Sequence, residues 1–315
     1  MRYFVAGHNG MVGSAICAKL AAAGAELVTR SRHELDLTNQ FDVKSFFAKE
    51  KPDIVVVAAA KVGGILANDT YPADFIQSNL MIAANLIKGA FENGASRLLM
   101  LSSSCVYPRE APQPINEQSL MTGPLEPTND AYAVAKIAAM KMCESYNRQH
   151  GTDYRTVMPC NLYGPNDNFD PVNSHVLPGL IRRFHEAEKA GAPEVVVWGS
   201  GKPQREFLHV SDMADAALFV LHLSKETWRE HVPLRHNHVN IGSGVETSIA
   251  ELAQLVAKTV GYRGKIVFDP SKPDGTPRKL LDVSLLAKMG WKAAIPLETG
   301  INDAYRYFRE SVAID

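Results

Sequence analysis

Cysteine is scarce in this 315-residue chain: Cys17, Cys105, Cys143 and Cys160 make four, too dispersed for a disulfide scaffold. A reducing, cytoplasmic setting is therefore expected. No Cys-x-x-Cys or His-x-x-x-His pair occurs, although there are 10 histidines, so no metal site is expected. Charge of one sign is lacking as well. The formal net charge of -1 gives no electrostatic reason to expect a nucleic-acid partner. No run approaches the roughly 20 apolar residues of a membrane span. The N-terminus enters a strand-like run without the basic leader and apolar stretch of a signal peptide. Internal repeats and low-complexity segments are absent too.

What the chain does have is 46% hydrophobic residues, arranged in alternation. Strand-like runs over 2–7, 26–30, 53–59, 97–103 and 154–161 alternate with helical spacing over 11–23, 40–50, 73–92 and 130–150. Ile54-Val55-Val56-Val57 is apolar on both faces, which implies a parallel sheet covered by helices on both sides. The expected fold class is α/β, with a doubly wound parallel sheet. Beyond Asn161 the pattern changes. An irregular loop over 163–173 precedes a helix over 174–189, a strand over 194–198 and a turn over 200–204. A helix over 210–223 and a strand over 238–242 return to the main sheet; a helix over 248–260, a strand over 265–268 and a helix over 297–309 follow. The expected division is a dinucleotide-binding domain over 1–165 and 208–245, with a smaller, discontinuous α/β lobe from 166–207 and 262–315.

Gly7, Gly10 and Gly13 stand three apart at the first strand–helix junction, with His8, Asn9, Met11 and Val12 between them. Glycines there let the backbone turn sharply and approach a pyrophosphate on the helix N-terminus. The second strand ends in Thr29-Arg30-Ser31-Arg32, without the acid that would hold an NAD ribose. Arg30 and Arg32 suit a 2′-phosphate, so NADPH is expected. Asp36 and Leu37 follow where an adenine edge would lie, and Ala58, Ala59 and Ala60 keep the end of the third strand small.

Strand four runs into Ser102-Ser103-Ser104-Cys105, and Tyr132 and Lys136 lie four apart on the next long helix. Residues four apart share a helix face. An ammonium beside a phenol is expected to lower the tyrosine pKa and ready it for proton exchange with a carbonyl oxygen. With a serine holding the same oxygen, this is carbonyl-reductase chemistry.

The Gly-x-x-Gly-x-x-Gly loop, the serine and Tyr132-x-x-x-Lys136 resemble the extended short-chain dehydrogenase/reductases, with their Rossmann sheet. Longer stretches are similar to one branch of that superfamily. They are Ala60-Lys61-Val62-Gly63-Gly64-Ile65, the run from Asn68 to Phe75, Ser103-Ser104-Cys105-Val106-Tyr107-Pro108, Asn173-Ser174-His175-Val176, Val197-Trp198-Gly199-Ser200-Gly201, Arg205-Glu206-Phe207-Leu208-His209 and the run from Lys272 to Lys279. That branch turns GDP-4-keto-6-deoxy-D-mannose into GDP-L-fucose by epimerisation at C3 and C5 and reduction at C4.

The resemblance implies catalytic roles for Ser103, Cys105, Tyr132, Lys136 and His175. Cys105 would be the base and His175 the acid of epimerisation. It implies further cofactor contacts from Leu101, Ser102, Pro159, Asn161, Leu162 and His175. Substrate contacts would come from Arg183, Trp198, Arg205, Asp274 and Lys279. A homodimer, with the helices over 73–92 and 130–150 pairing across a two-fold, is also implied. Two residues depart from the branch: Asn9 stands where arginine is usual, and Ser102 where glycine is common. His209 and the remaining cysteines are expected to be structural. The competing readings are a nucleotide-sugar 4-epimerase or dehydratase, and a non-catalytic sensor on the same fold.

Overall fold

The computed structural model describes residues 1–171, 174–272 and 274–313. Asn173 and Pro273, each within a motif above, lie outside the described residues, as does the side chain of Ile65. The strands are Arg2–Ala6 (β1), Glu26–Val28 (β2), Ile54–Val57 (β3), Arg97–Leu101 (β4), Tyr154–Pro159 (β5), Asn161–Tyr163 (β6), Glu194–Trp198 (β7), Gln204–His209 (β8), His238–Ile241 (β9), Glu246–Ser248 (β10), Lys265–Asp269 (β11) and Arg278–Lys279 (β12). The α-helices are Met11–Ala22 (α1), Gln40–Glu50 (α2), Ile65–Thr70 (α3), Pro72–Glu92 (α4), Asp130–His150 (α5), Val176–Lys189 (α6), Val210–His222 (α7), Lys225–His231 (α8), Ile249–Val260 (α9), Ser284–Lys288 (α10) and Leu297–Ser311 (α11).

Six strands form the main sheet in the order β2-β1-β3-β4-β5-β9, every pair parallel. All four residues of β3 are buried, as a strand covered on both faces requires. One face packs Val5, Ile54, Val56, Leu99 and Val157 with residues of α7; the other packs Phe4, Val55, Leu98 and Tyr154 with residues of α2 and α4. Asn39 caps α2 by accepting from the Phe41 and Asp42 amides, a contact of about 1 kcal/mol. Successive strands run outward on opposite sides of β1, so the order reverses between β1 and β3. That reversal opens a crevice at the strand ends. The glycine loop and Ala58–Ala60 border it.

A smaller body holds the third core. Leu180 and Phe184 of α6, Val195 and Val197 of β7, Leu252 and Val256 of α9, and Ile301 and Phe308 of α11 pack together. β7 pairs with β11, while β10, β8, β12 and β6 make a separate small sheet. Leu281, Leu286 and Trp291, within the 262–315 range assigned above to the lobe, pack instead on the main-sheet core.

Several expected boundaries shift. The second strand ends at Val28, which leaves Arg30 outside it. The stretch 154–161 divides into β5 and β6, because Cys160 pairs its amide with Ile241 and the chain then turns to β8. The turn expected over 200–204 ends one residue early, because Gln204 opens β8.

Candidate active site

The glycine loop is built for close approach. Gly7 has φ +87°, and a Cβ there would lie 2.6 Å from the Ala59 amide nitrogen. A Cβ on Gly13 would strike the Gly7 carbonyl group. The first turn of α1 carries no acid, and Gly10 caps it without a side-chain hydrogen bond. Its amides and the positive end of its dipole are thus available to an anion. His8, Met11 and Val12 are half-buried in this loop and Asn9 is exposed.

The two arginines differ. Arg30 donates to Glu50 at 2.6 Å and to the Thr29 carbonyl at 2.7 Å, and its guanidinium lies 5.6 Å from the Phe46 ring. Arg32 is exposed, with no hydrogen bond or ion pair among the described residues. Arg30 is therefore tied into the protein, whereas Arg32 leaves its guanidinium to solvent. Asp36 accepts from the Thr38 amide and hydroxyl, which holds its carboxyl below the usual range. The Leu37 carbonyl is bound by Asn85. Ala59 and Ala60 are half-buried beside the loop.

Beyond β4, Ser102 is buried and its hydroxyl lies 3.2 Å from the Met140 sulfur. Ser103 is half-buried, and its oxygen accepts from the Cys105 amide at 3.5 Å. Cys105 is 9% exposed. Lys136 donates to the Leu101 carbonyl at 2.9 Å and lies 5.6 Å from the Tyr132 ring centre. Here the expected direction is reversed. Burial raises the Tyr132 pKa, a charge on Cys105 raises it further, and Lys136 is itself lowered to about 8 by burial. The ammonium faces the Leu101 carbonyl and the ring, so desolvation of the phenol wins. Tyr132 is held in the form that donates a proton.

Cys105 links the two bodies. A charge on its sulfur favours the ammonium of Lys136 and also that of Lys279, on β12. Burial and the nearby Arg205 act the other way on Lys279, and Glu126 supports its charge. Arg205 stands opposite Lys279 in the β8–β12 register and bonds the Gln204 carbonyl at 2.8 Å. Burial lowers both Arg205 and Arg183. Arg183 donates to the Val196 carbonyl and sits 5.8 Å from the Trp198 ring, which is 64% exposed. Asp274 is committed elsewhere: its two oxygens accept from the Ser200 amide and hydroxyl at 2.6 and 2.7 Å. His175 caps α6 through its backbone alone and is exposed, while the surrounding protein lowers its pKa by desolvation. Pro159 ends β5, Asn161 donates to the Glu206 carbonyl, and half-buried Leu162 lies on β6. His209 is buried; its Nδ1 accepts from the Ser211 amide, and its Nε2 lies 3.3 Å from Asp303.

Three neighbours escaped the sequence reading. Lys272 lies 5.7 Å from the Trp198 ring, on the side chain already flanked by Arg183. Glu126, in the loop before α5, faces Lys279 and pairs with Arg109 at 3.4 Å. Glu206 is fully buried between the two bodies. Lys272 and Glu206 carried a signal, each as a member of a quoted motif, and Glu126 carried none. Among the described residues no group of three or more His, Cys, Asp or Glu is placed to hold a metal ion. A cavity of about 300 Å³ beside His231, His236 and Lys288 contains none of these site residues.

Residues 3–242 match the NAD dependent epimerase/dehydratase family. A GDP-L-fucose synthase of Escherichia coli (strain K12) is 58% identical over 311 residues, covering 98% of this chain and 97% of that one. Among solved structures, a GDP-mannoheptose C4 reductase from Campylobacter jejuni with NADP bound aligns with a TM-score of 0.90 at 37% identity, over 98% of both chains. A GDP-L-fucose synthetase from Naegleria fowleri bound to NADP aligns with a TM-score of 0.87 at 27% identity, over 99% of this chain and 95% of that one. Identity of this order along almost the whole of both chains places the molecule: it belongs to the NAD dependent epimerase/dehydratase family, among the GDP-L-fucose synthases.

Proposed function

We propose that the protein converts GDP-4-keto-6-deoxy-D-mannose to GDP-L-fucose, epimerising C3 and C5 and then reducing C4 with NADPH. The observation that carries this reading is the electrostatic link from Cys105 to Tyr132, Lys136 and Lys279. A thiol at the proton-donating tyrosine has no task in plain reduction, but epimerisation needs an acid–base residue there.

The glycine loop, the acid-free start of α1 and Arg32 suit the diphosphate and 2′-phosphate of NADPH. When bound, the cofactor supplies hydride to C4. The chain does the proton work. The C3 and C5 protons lie next to the C4 ketone, so Cys105 as base leaves an enolate rather than a bare carbanion. Return of a proton from His175 on the opposite face inverts the carbon. Tyr132 and Ser103 hold the C4 oxygen in both stages, first as enolate and then as the oxygen that receives the Tyr132 proton. Lys136 would hold the cofactor's ribose. Arg183, Arg205 and Lys279 would neutralise the diphosphate, and Trp198 would give the base an apolar wall. Asp274 would act through the Ser200 turn it already holds.

The second reading is plain C4 reduction, the activity named for the Campylobacter jejuni neighbour. NADPH oxidation with GDP-4-keto-6-deoxy-D-mannose in deuterated water separates the two. GDP-L-fucose carrying deuterium at C3 and C5 is expected, and a reduced, undeuterated product of manno configuration would leave only reduction. Cys105→Ser is expected to lower deuterium incorporation at least about 100-fold.

Among the described residues no helix is long and apolar enough to cross a membrane, and the four free cysteines suit a reducing cytoplasm. We also infer a homodimer paired through α4 and α5, where Met81 and Val134 are 37% and 44% exposed.

A further inference from the structure

Glu206 is a carboxylate with no exposed surface, and no cation pairs with it among the described residues. Burying such a group is costly unless hydrogen bonds replace water. Here backbone amides converge on it. Gly244 donates to one oxygen at 2.7 Å and Leu281 to the other at 3.0 Å, with a further bond from the backbone of Ser243. The chain makes room for the group, since a Cβ on Gly242 would lie 2.7 Å from its carboxyl carbon. Even so, burial pushes its pKa up to about 7.

The place of these amides gives the carboxylate a task. Ser243 and Gly244 follow β9, the edge strand of the main sheet. Leu281 lies two residues beyond Lys279. The β8–β12 ladder spans only Arg278↔Gln204 and Lys279↔Arg205. Ile115 bridges Leu281, and Gln113 binds the Leu280 amide, but toward β8 two residues of register are a weak hold for a segment carrying a substrate cation. The Glu206 side chain extends that hold by binding the Leu281 amide from the next residue of β8.

We propose that Glu206 is a positioning residue for the nucleotide sugar: its carboxylate clamps the segment 279–281 to β8, and so sets Lys279 beside Arg205 and Cys105. The inference rests on the substrate side assigned above. Glutamine at this position keeps the volume but turns one acceptor into a donor facing an amide. Aspartate keeps the charge and cannot span both amides.

The test is calorimetric titration of the full chain with GDP and, separately, with NADPH, for wild type, Glu206→Gln, Glu206→Asp, Lys279→Ala and Glu206→Gln/Lys279→Ala. The expected result is GDP binding weakened about tenfold by either Glu206 substitution, with NADPH binding unchanged within about twofold. In steady-state assays KM for the sugar should rise more than kcat falls. On the Lys279→Ala background, Glu206→Gln should add nothing, because its effect passes through Lys279. Equal, additive losses on both backgrounds, or weakened NADPH binding in parallel, would overturn the proposal. If Glu206→Gln does not fold, Glu206→Asp and its Lys279→Ala double mutant carry the same comparison. GDP binding with no turnover of the keto sugar by wild type would fail the functional reading and leave this one standing.

Discussion

At the scale of single residues, Tyr132 and Lys136 invert the simplest expectation. A lysine four residues on suggests a phenol ready to ionise, but burial keeps the proton on Tyr132 and loosens it from Lys136. Tyr132→Phe should therefore lower C4 reduction about 100- to 10,000-fold, with NADPH binding nearly intact by fluorescence titration. Lys136 has a folded pKa of about 8, so its ammonium is present below that pH and lost above it. The kcat/KM profile should fall as pH rises through about 8, and Lys136→Arg should shift that limb upward. Glu206 adds a stability signature. Its pKa moves from 4.5 to about 7, so the folded chain binds the proton more tightly. Its contribution is greatest below pH 4.5 and is lost as pH rises through 7. Urea melts should show the stability of wild type relative to Glu206→Gln falling by about 3 kcal/mol between pH 4.5 and 8.

At the scale of elements, the cofactor crevice depends on two local arrangements. Gly13→Ala places a Cβ against the Gly7 carbonyl group, so NADPH binding should weaken at least tenfold, with little change in GDP binding. The loop after β2 makes the opposite division between its arginines. Arg32→Ala should raise KM for NADPH severalfold and leave NADH unaffected. Arg30→Ala should chiefly lower the melting temperature, because it leaves buried Glu50 with Arg2 as its one remaining cation among the described residues. Elements such as β3 were legible because Ile54-Val55-Val56-Val57 can be satisfied only between two helical layers. β8 was not, because Arg205 and Glu206 set two charges directly after the turn assigned over 200–204, and the amides of Gly244 and Leu281 that satisfy Glu206 are distant in sequence. The tie on Arg30 was hidden for the same reason: its partner Glu50 lies 20 residues away, and sequence spacing carries no sign of that contact.

At the scale of the whole molecule, the chain passes between the two bodies repeatedly. Glycine loop, serine, tyrosine and lysine were readable because they lie within the main sheet's own succession of strand and helix. Lys279 and Arg205 come together with Cys105 only through the small sheet, which no local pattern announces. The division of labour is not matched by a division of the chain. Leu281, Leu286 and Trp291 return to the main core after β12, next to β9. Leu286→Ala should cost about 2–5 kcal/mol and lower the melting of both bodies in one calorimetric transition.

That return sets a rule for recombining such enzymes. A graft that exchanges everything after residue 245 to acquire another sugar preference would also carry off side chains from beneath the cofactor sheet. The hybrid would set the donor's side chains against a core that did not evolve with them. A viable chimera must keep 281–293 from the parent that supplies the sheet, so the seam runs through three crossings instead of one. By the same logic, point changes within the lobe leave the packing beneath the cofactor sheet intact, so the fold lets the pocket be edited more readily than replaced.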